Sequence, residues 1–273
     1  MAYVLHNLGT IHHSQGNYKE AIKLYQLSLK TKEELGDKRG IANTLYQLGW
    51  IYQDHGNYEE AVKLYNRSLK IYEEQEDESG IASTLHQIGN IKLRQGKNEE
   101  AFELYQQSLK TRKKLGDKGG MAYGLGQLGM LYYHQGNCEK AAEFFQECRK
   151  LSDEIGDKKS ISNSLDHLGM IYQRQGNYEE AVKLYQQSLE LAIELEDKSG
   201  IAISLAHIAD IYEEKDKDFP AALEKYLVAL SILRELNSPD SKIVESDISR
   251  IKEKMGEEVF NKAMEEIMRR NGA

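Results

Sequence analysis

Residues 47–58 read QLGWIYQDHGNY, and the same frame returns as NLGTIHHSQGNY, QIGNIKLRQGKN, QLGMLYYHQGNC and HLGMIYQRQGNY. A self-match this dense restricts the chain to architectures made by stacking one unit on the next. Shifting the sequence by 40 residues brings Leu8, Leu48, Ile88, Leu128, Leu168 and Ile208 into register. Gly9, Gly49, Gly89, Gly129 and Gly169 align as well, with Ala209 in the last copy. So do Ala21, Ala61, Ala101, Ala141 and Ala181, joined by Ala222 after a one-residue insertion in KDKDFP. Tyr25, Tyr65, Tyr105, Phe145, Tyr185 and Tyr226 complete the frame. Inside it one letter does not hold still: positions 10, 50, 90, 130 and 170 run Thr, Trp, Asn, Met, Met.

Each copy reads as two helices, A and B. Leu45, Leu48, Gly49 and Tyr52 fall on one helical face of A, and Tyr58, Ala61, Val62, Tyr65, Leu69 and Tyr72 on one face of B. Between them Gly56 suits the left-handed position past a helix end, and Asn57 suits an N-cap. Glu60, three residues on, makes a capping-box pattern. Between copies, Gly36-Asp37, Gly116-Asp117 and Gly156-Asp157 supply another stop and another N-cap. Small residues at the Gly49 and Ala61 positions let A and B approach closely. The expected repeats are 1–36, 37–76, 77–116, 117–156, 157–196 and 197–237. Residues 238–273 break the frame: Ser238-Pro239 reads as N-cap and first turn of a new helix. Ile248, Ile251 and Met255, then Phe260, Ala263, Met264 and Ile267, mark two amphipathic helices split at Gly256, expected to cap the sixth copy.

The pattern L-x-x-L-G-x-x-Y-x-x-x-G-x-Y-x-x-A-x-x-x-Y resembles the tetratricopeptide repeat (TPR). The long 40-residue form, with Gly-Asp between copies, is similar to repeats of LGN/Pins adaptors, kinesin light chains and prokaryotic signalling proteins. The resemblance implies an all-α, right-handed superhelical solenoid of antiparallel helix pairs, and a role in protein–protein interaction. It does not name the partner, because such arrays serve many.

Composition narrows the function classes. Lys and Arg number 36 against 44 Asp and Glu, a net charge of −8 with both signs mixed. That balance argues against nucleic-acid and anionic-membrane binding, both of which need a basic face. No apolar run approaches the length of a membrane span, and no signal peptide is visible. Cys138 and Cys148 lie on one expected helix, roughly 15 Å apart at 1.5 Å per residue, too far for a disulfide. A reduced, cytoplasmic chain is the plain expectation. The first copy begins inside helix A, with nothing corresponding to Asp37–Gly40 before it. This predicts a fragment, or a neighbour of another domain, whose N-terminal edge self-associates.

Catalytic signatures are missing: there is no G-x-S-x-G, H-E-x-x-H or G-x-x-x-x-G-K-[ST]. The carboxylates Glu59, Glu60, Glu73 and Glu74 follow a solvated helix face. His6, His12 and His13 share a helix and His167 and His207 share a slot, but none has an i+4 partner and a third ligand, so no metal or cofactor is expected. The chain is read as a non-enzyme.

What varies among the copies is therefore the informative part. Slots two, five, nine, twelve and thirteen of the family frame point away from helix B. They hold Asn43, Tyr46, Trp50, Gln53 and Asp54 in the second copy, and Ser83, His86, Asn90, Leu93 and Arg94 in the third. The fourth has Tyr123, Gly126, Met130, Tyr133 and His134; the fifth, Asn163, Asp166, Met170, Gln173 and Arg174. The first has Tyr3, His6, Thr10, His13 and Ser14, while the sixth (Ile203, Ala206, Asp210, Glu213, Glu214) turns acidic. Lysine occurs at none of them, whereas Trp, Tyr, Met, Asn and Arg do, which is the composition of an interface. In TPR solenoids these slots line the concave groove. The expected partner-binding residues are Tyr46, Trp50, Asn90, Arg94, Met130, Tyr133, Met170 and Arg174, binding a peptide or partner helix. The competing reading is that the aromatics pack against neighbouring A helices. A second function reading makes the chain the regulatory or sensor segment of a larger signalling protein whose effector domain lies elsewhere. The carboxylate clamp of chaperone-binding TPRs is not matched, because His6 and Thr10 stand where it needs Lys and Asn. The slot-nine asparagine of LGN-like proteins survives only as Asn90. Arg94 and Arg174 could pair with acidic ligand residues.

Overall fold

A computed structural model describes residues 1–270; the last three residues of the expected 238–273 capping segment lie outside it. The described residues contain no strand. Fourteen helices follow one another in consecutive pairs among them: α1 (Ala2–Ser14), α2 (Tyr18–Leu35), α3 (Lys38–Asp54), α4 (Tyr58–Glu74), α5 (Glu78–Arg94), α6 (Asn98–Leu115), α7 (Lys118–His134), α8 (Cys138–Ile155), α9 (Lys158–Arg174), α10 (Tyr178–Glu194), α11 (Lys198–Ile211), α12 (Phe219–Glu235), α13 (Ser241–Met255) and α14 (Glu257–Arg270). Odd-numbered helices through α11 are the A helices. The chain divides into two compact units, Met1–Leu131 and Tyr132–Ala273, the division falling within α7.

The turns form as the sequence dictates, with one refinement. Gly56 adopts φ +73° and Asn57 Oδ1 accepts the Glu60 amide at 3.4 Å. The reciprocal half of the capping box is not made. The Asn57 amide already donates to Tyr52 O at 2.8 Å, closing the previous helix, and Glu60 pairs with Lys63 instead. Asp37, Asp117 and Asp157 cap the A helices as expected, and Asp77 does the same. Gly36, Gly116 and Gly156 take the left-handed stop before three of these caps, but Glu76 and Glu196 hold the same conformation, φ +53° and +52°, without glycine's freedom.

Within each pair the helices meet over the small residues. A Cβ built on Gly49 would stand 2.8 Å from Tyr65 Cε1, and one on Gly89 2.8 Å from Tyr105 Cε1. Glycine is therefore required here by a ring lying flat on the backbone. A second tie recurs: Ser28, Ser68 and Ser108 Oγ donate to the carbonyls of Ala2, Ala42 and Ala82 at 2.7–2.8 Å. In the 132–273 unit Ser188 does the same to Ser162, and Cys148 in that slot accepts from Ser164 Oγ at 3.2 Å. The B helices α2, α4, α8 and α10 then pack on the A helices that follow them. Tyr58, Val62 and Leu69 of α4 cover Ile88 and Ile91 of α5, and Tyr178, Val182 and Leu189 of α10 cover Ile208 and Ile211 of α11. In α1 the matching positions are more open: Leu8 and Ile11 are 41% and 50% exposed, against 3% and 0% for Leu48 and Ile51.

The sixth pair differs. Its extra residue is absorbed by a π-helical turn, Tyr212–Asp216, followed by Lys217 at φ +55° in place of the glycine. The helix expected to start at Ser238-Pro239 starts at Ser241. Ser238 Oγ accepts the Asp240 amide, so it organises a turn ahead of the helix. Gly256, at φ +79°, separates α13 from α14. Val244, Ile251, Phe260, Ala263 and Ile267 of these two helices pack on Leu223, Leu230 and Leu233 of α12. Arg250 and Lys254 of α13 reach back to Glu213, 2% exposed, each at 2.7 Å. They hold its carboxyl at about 2 although burial opposes this.

Candidate functional site

Within each unit the varying slots of successive A helices line up in a row, and their chemistry is set from below. In the first, second, third and fifth pairs the framework tyrosine of the B helix passes under the glycine of its A helix, and its hydroxyl emerges at slot nine or twelve, as does that of Tyr226 in the sixth. In the 1–131 unit Tyr25 OH meets Thr10 Oγ1 at 2.9 Å, Tyr65 OH donates to Gln53 Oε1 at 3.1 Å, and Tyr105 OH donates to Asn90 Oδ1 at 2.7 Å. In the 132–273 unit Tyr185 OH donates to Gln173 Oε1 at 2.9 Å, and Tyr226 OH to Asp210 and Glu213. Burial pushes these phenols above the ordinary tyrosine range, so they stay protonated donors.

This explains the unsteady letter of the repeat. Where slot nine can accept a hydrogen bond (Thr10, Asn90, Asp210), it takes the hydroxyl. Where it is Trp50 or Met170, slot twelve is glutamine and takes it. Where slots nine and twelve are Met130 and Tyr133, the framework ring is Phe145, which has no hydroxyl to satisfy. The side chains at the two slots are thus chosen together with the ring beneath them.

The eight expected site residues fall out differently. In the 1–131 unit Trp50 is 40% exposed and stands edge-on to His13, ring centroids 5.1 Å apart. Tyr46 is half-buried, tilted against Tyr65, and its hydroxyl accepts from Gln87 at 3.3 Å. Asn90 spends its amide on Gln87 Oε1 (3.0 Å) and its carbonyl on Tyr105. Arg94 is exposed, and Met130 is half-buried. In the 132–273 unit Met170 is half-buried against the Tyr185–Ile208 cluster. Arg174 lies over the Tyr133 ring at 5.4 Å and donates to the Tyr133 carbonyl at 3.3 Å.

Other row positions are inside the protein. His86 is 2% exposed between the rings of Tyr105 and Tyr123, and burial, with Arg112 assisting, lowers its pKa to about 3. Asp166, 8% exposed, pairs with His207 at 3.1 Å. Sequence reasoning missed the residues that fill the seam between successive A helices from below. Lys32 Nζ donates to Thr44 at 3.0 Å, Tyr72 OH donates to Asn43 at 2.6 Å, and Arg112 bridges Asp117 and Ser83. The signal for them was a B-helix slot that runs Lys32, Tyr72, Arg112, Ser152, Ala192 inside an otherwise constant stripe. A 340 Å³ cleft opens beside this seam, lined by His6, Arg39, Asn43, Tyr46, Tyr72 and Asp77 among others. A larger one, 860 Å³, lies among α8, α9 and α10 and contains none of the eight residues. No group of three or more His, Cys, Asp or Glu suited to a metal ion occurs among the described residues, and none of their helices is long and apolar enough to cross a membrane.

Helix pairs with these turns and this glycine-on-tyrosine contact define a class, and comparison with known proteins places the chain in it. The tetratricopeptide repeat family matches residues 1–74, 80–154 and 160–235, so the chain belongs to that family. No curated protein matches it. Among solved structures, BtubC from P. vanneervenii shares 21% identity at a TM-score of 0.63, covering 69% of this chain and 78% of that one. A STAND protein with a tetratricopeptide repeat sensor from Pyrococcus horikoshii shares 18% at 0.71, with 97% of this chain covering 43% of that one. The Rap conjugation gene regulator of plasmid pLS20, in complex with the Phr* peptide, shares 19% at 0.69, covering 99% and 75%. At such identities the likeness is one of fold.

Proposed function

We propose that the chain is a non-catalytic binding module that holds a peptide or partner helix on the A-helix row, through Tyr46, Trp50, Asn90, Arg94, Met130, Tyr133, Met170 and Arg174. The observation that carries this reading is Trp50. On a scaffold whose Tyr25, Tyr65, Tyr105, Phe145, Tyr185 and Tyr226 rings are buried, this indole is 40% exposed, meets His13 edge-on and leaves a broad apolar surface open to a ligand. The fold likeness to a Rap regulator crystallised with a peptide supports a ligand of that kind. Asn90 enters the reading as a residue that shapes the row, since its polar atoms are already engaged. The test is affinity capture with wild type, Trp50→Ala and Met170→Ala. The expected outcome is a partner set weakened about tenfold or more by Trp50→Ala, the loss typical of a central aromatic anchor. Recovery of the same partners at equal strength by all three proteins would sink the reading.

A second reading, that the module senses a signal for an effector domain, is favoured by the tetratricopeptide repeat sensor of the Pyrococcus STAND protein, 43% of whose length the chain covers.

A further inference from the structure

The chemistry of the ligand can be read from what the row has left unspent, an argument that rests on the binding reading above. The framework hydroxyls consume Thr10, Gln53, Asn90, Gln173 and Asp210. Of the charged slot-thirteen residues, Asp54 is paired with His13, and Glu214 is held by Gln173 Nε2 at 3.2 Å. Arg94 and Arg174 have no carboxylate partner among the described residues, and of the two it is Arg174 that the structure holds in place. It is fixed in place by the Tyr133 ring and the Tyr133 carbonyl, which uses one of its five N–H donors. Arg39, Arg67, Arg112, Arg234 and Arg250 each have a carboxylate partner within 3.7 Å. No carboxylate among the described residues pairs with Arg174, on a chain carrying 44 acidic side chains. Met170, one turn earlier on α9, lies on the same helix face. Only the fifth copy combines an apolar slot nine with an arginine at slot thirteen: the second pairs Trp50 with Asp54, the third Asn90 with Arg94, the fourth Met130 with His134.

We propose that Tyr133, Met170 and Arg174 form a subsite for a protein segment that carries a carboxylate within one or two residues of a large apolar side chain. The planar guanidinium, lying over Tyr133, keeps donors for both oxygens of a carboxylate. The thioether of Met170, conformationally adaptable and backed by the Tyr185–Ile208 cluster, takes the apolar side chain. Orientation follows from the pair: one contact fixes position along α9, the other fixes direction.

The probe is a phage-displayed library of random dodecapeptides selected on the full chain. Selected peptides are then titrated against wild type, Arg174→Gln, Arg174→Lys, Met170→Ala and Trp50→Ala. Expected are peptides with Asp or Glu next to Leu, Met or Phe, weakened about five- to tenfold by Arg174→Gln and partly restored by Arg174→Lys. Replacing the peptide's Asp by Asn should cost the same factor on wild type and nothing further on Arg174→Gln. Arg174 is exposed, so the thermal melt of its variants should match wild type. Peptides weakened by Trp50→Ala but indifferent to Arg174→Gln, or enriched in phosphomimetic-free basic sequences, would overturn the acidic subsite and leave the row intact. Peptides indifferent to every row variant, or no selected peptides at all, would overturn both.

Discussion

Gly49 and Tyr65 show how much of this protein is decided by single atoms. The Tyr65 ring occupies the space a side chain at position 49 would need, and its hydroxyl continues past the glycine to Gln53. Gly49→Ala places a methyl 2.8 Å from a fully buried ring that has no room to retreat. The expected cost is about 1–3 kcal/mol, the range for overpacking a filled core, less the few tenths to 1 kcal/mol that alanine gains in a helix. A thermal melt would show it as a lower apparent midpoint, together with a shift in Trp50 fluorescence, one position along α3. An unchanged midpoint would mean that the pair can admit the methyl, as the sixth copy carries one at Ala209.

At the scale of the element, helices are terminated by local codes of uneven quality. Most stops use a glycine in the left-handed region, but Glu76, Glu196 and Lys217 adopt φ near +50° to +55° with a full side chain. For an L-residue that conformation costs roughly 1 kcal/mol. Glu76→Gly and Glu196→Gly relieve it, offset in part by glycine's greater freedom in the unfolded chain, and each should stabilise by about 0.5 kcal/mol. The two lie in different units, far apart along the chain, so the gains should add in a denaturant titration of the double variant. A loss of stability in either would show that the glutamate side chain makes compensating contacts. The π-turn at Tyr212–Asp216 is the same problem solved otherwise: one inserted residue, kept within the helix and not expelled as a loop.

Across the whole molecule the two units carry different buried charges. In the 1–131 unit His86, among Tyr105, Tyr123 and Arg112, has its pKa lowered from 6.5 to about 3. The unfolded chain therefore holds a proton that the folded chain refuses between these values, and stability falls as pH drops through that window. In the 132–273 unit Glu213, lowered from 4.5 to about 2 by Arg250 and Lys254, stabilises above pH 4.5, and that contribution is lost as pH falls toward 2. Acid weakens both, for opposite reasons: one site must accept a charge, the other must give one up. His86→Phe keeps an aromatic ring between the two tyrosines and removes the first effect. Its apparent melting temperature should fall less than wild type's between pH 7.5 and pH 5. An equal fall in the two proteins would assign the acid sensitivity elsewhere.

The forty-residue unit, the helix pair within it, most of the stops and caps, and the small residues at Gly49 and Ala61 that let the pair close are all legible in the residues alone. These follow from periodicity, φ preferences and side-chain size, all of which act over a few residues and are repeated often enough to be read. The tertiary structure decided which members of the varying row are still unspent. Asn90 looks like a ligand contact in the sequence, but whether a tyrosine hydroxyl reaches it depends on where helix B crosses beneath helix A. His86 and Asp166 carry polar groups in slots read as outward, and the seam between successive A helices encloses them. Glu213 was legible as acidic, not as buried; that took an inserted residue, a π-turn and two cations from α13. A repeat writes its scaffold many times and its exceptions once, and an exception acquires meaning only from neighbours that the fold brings to it.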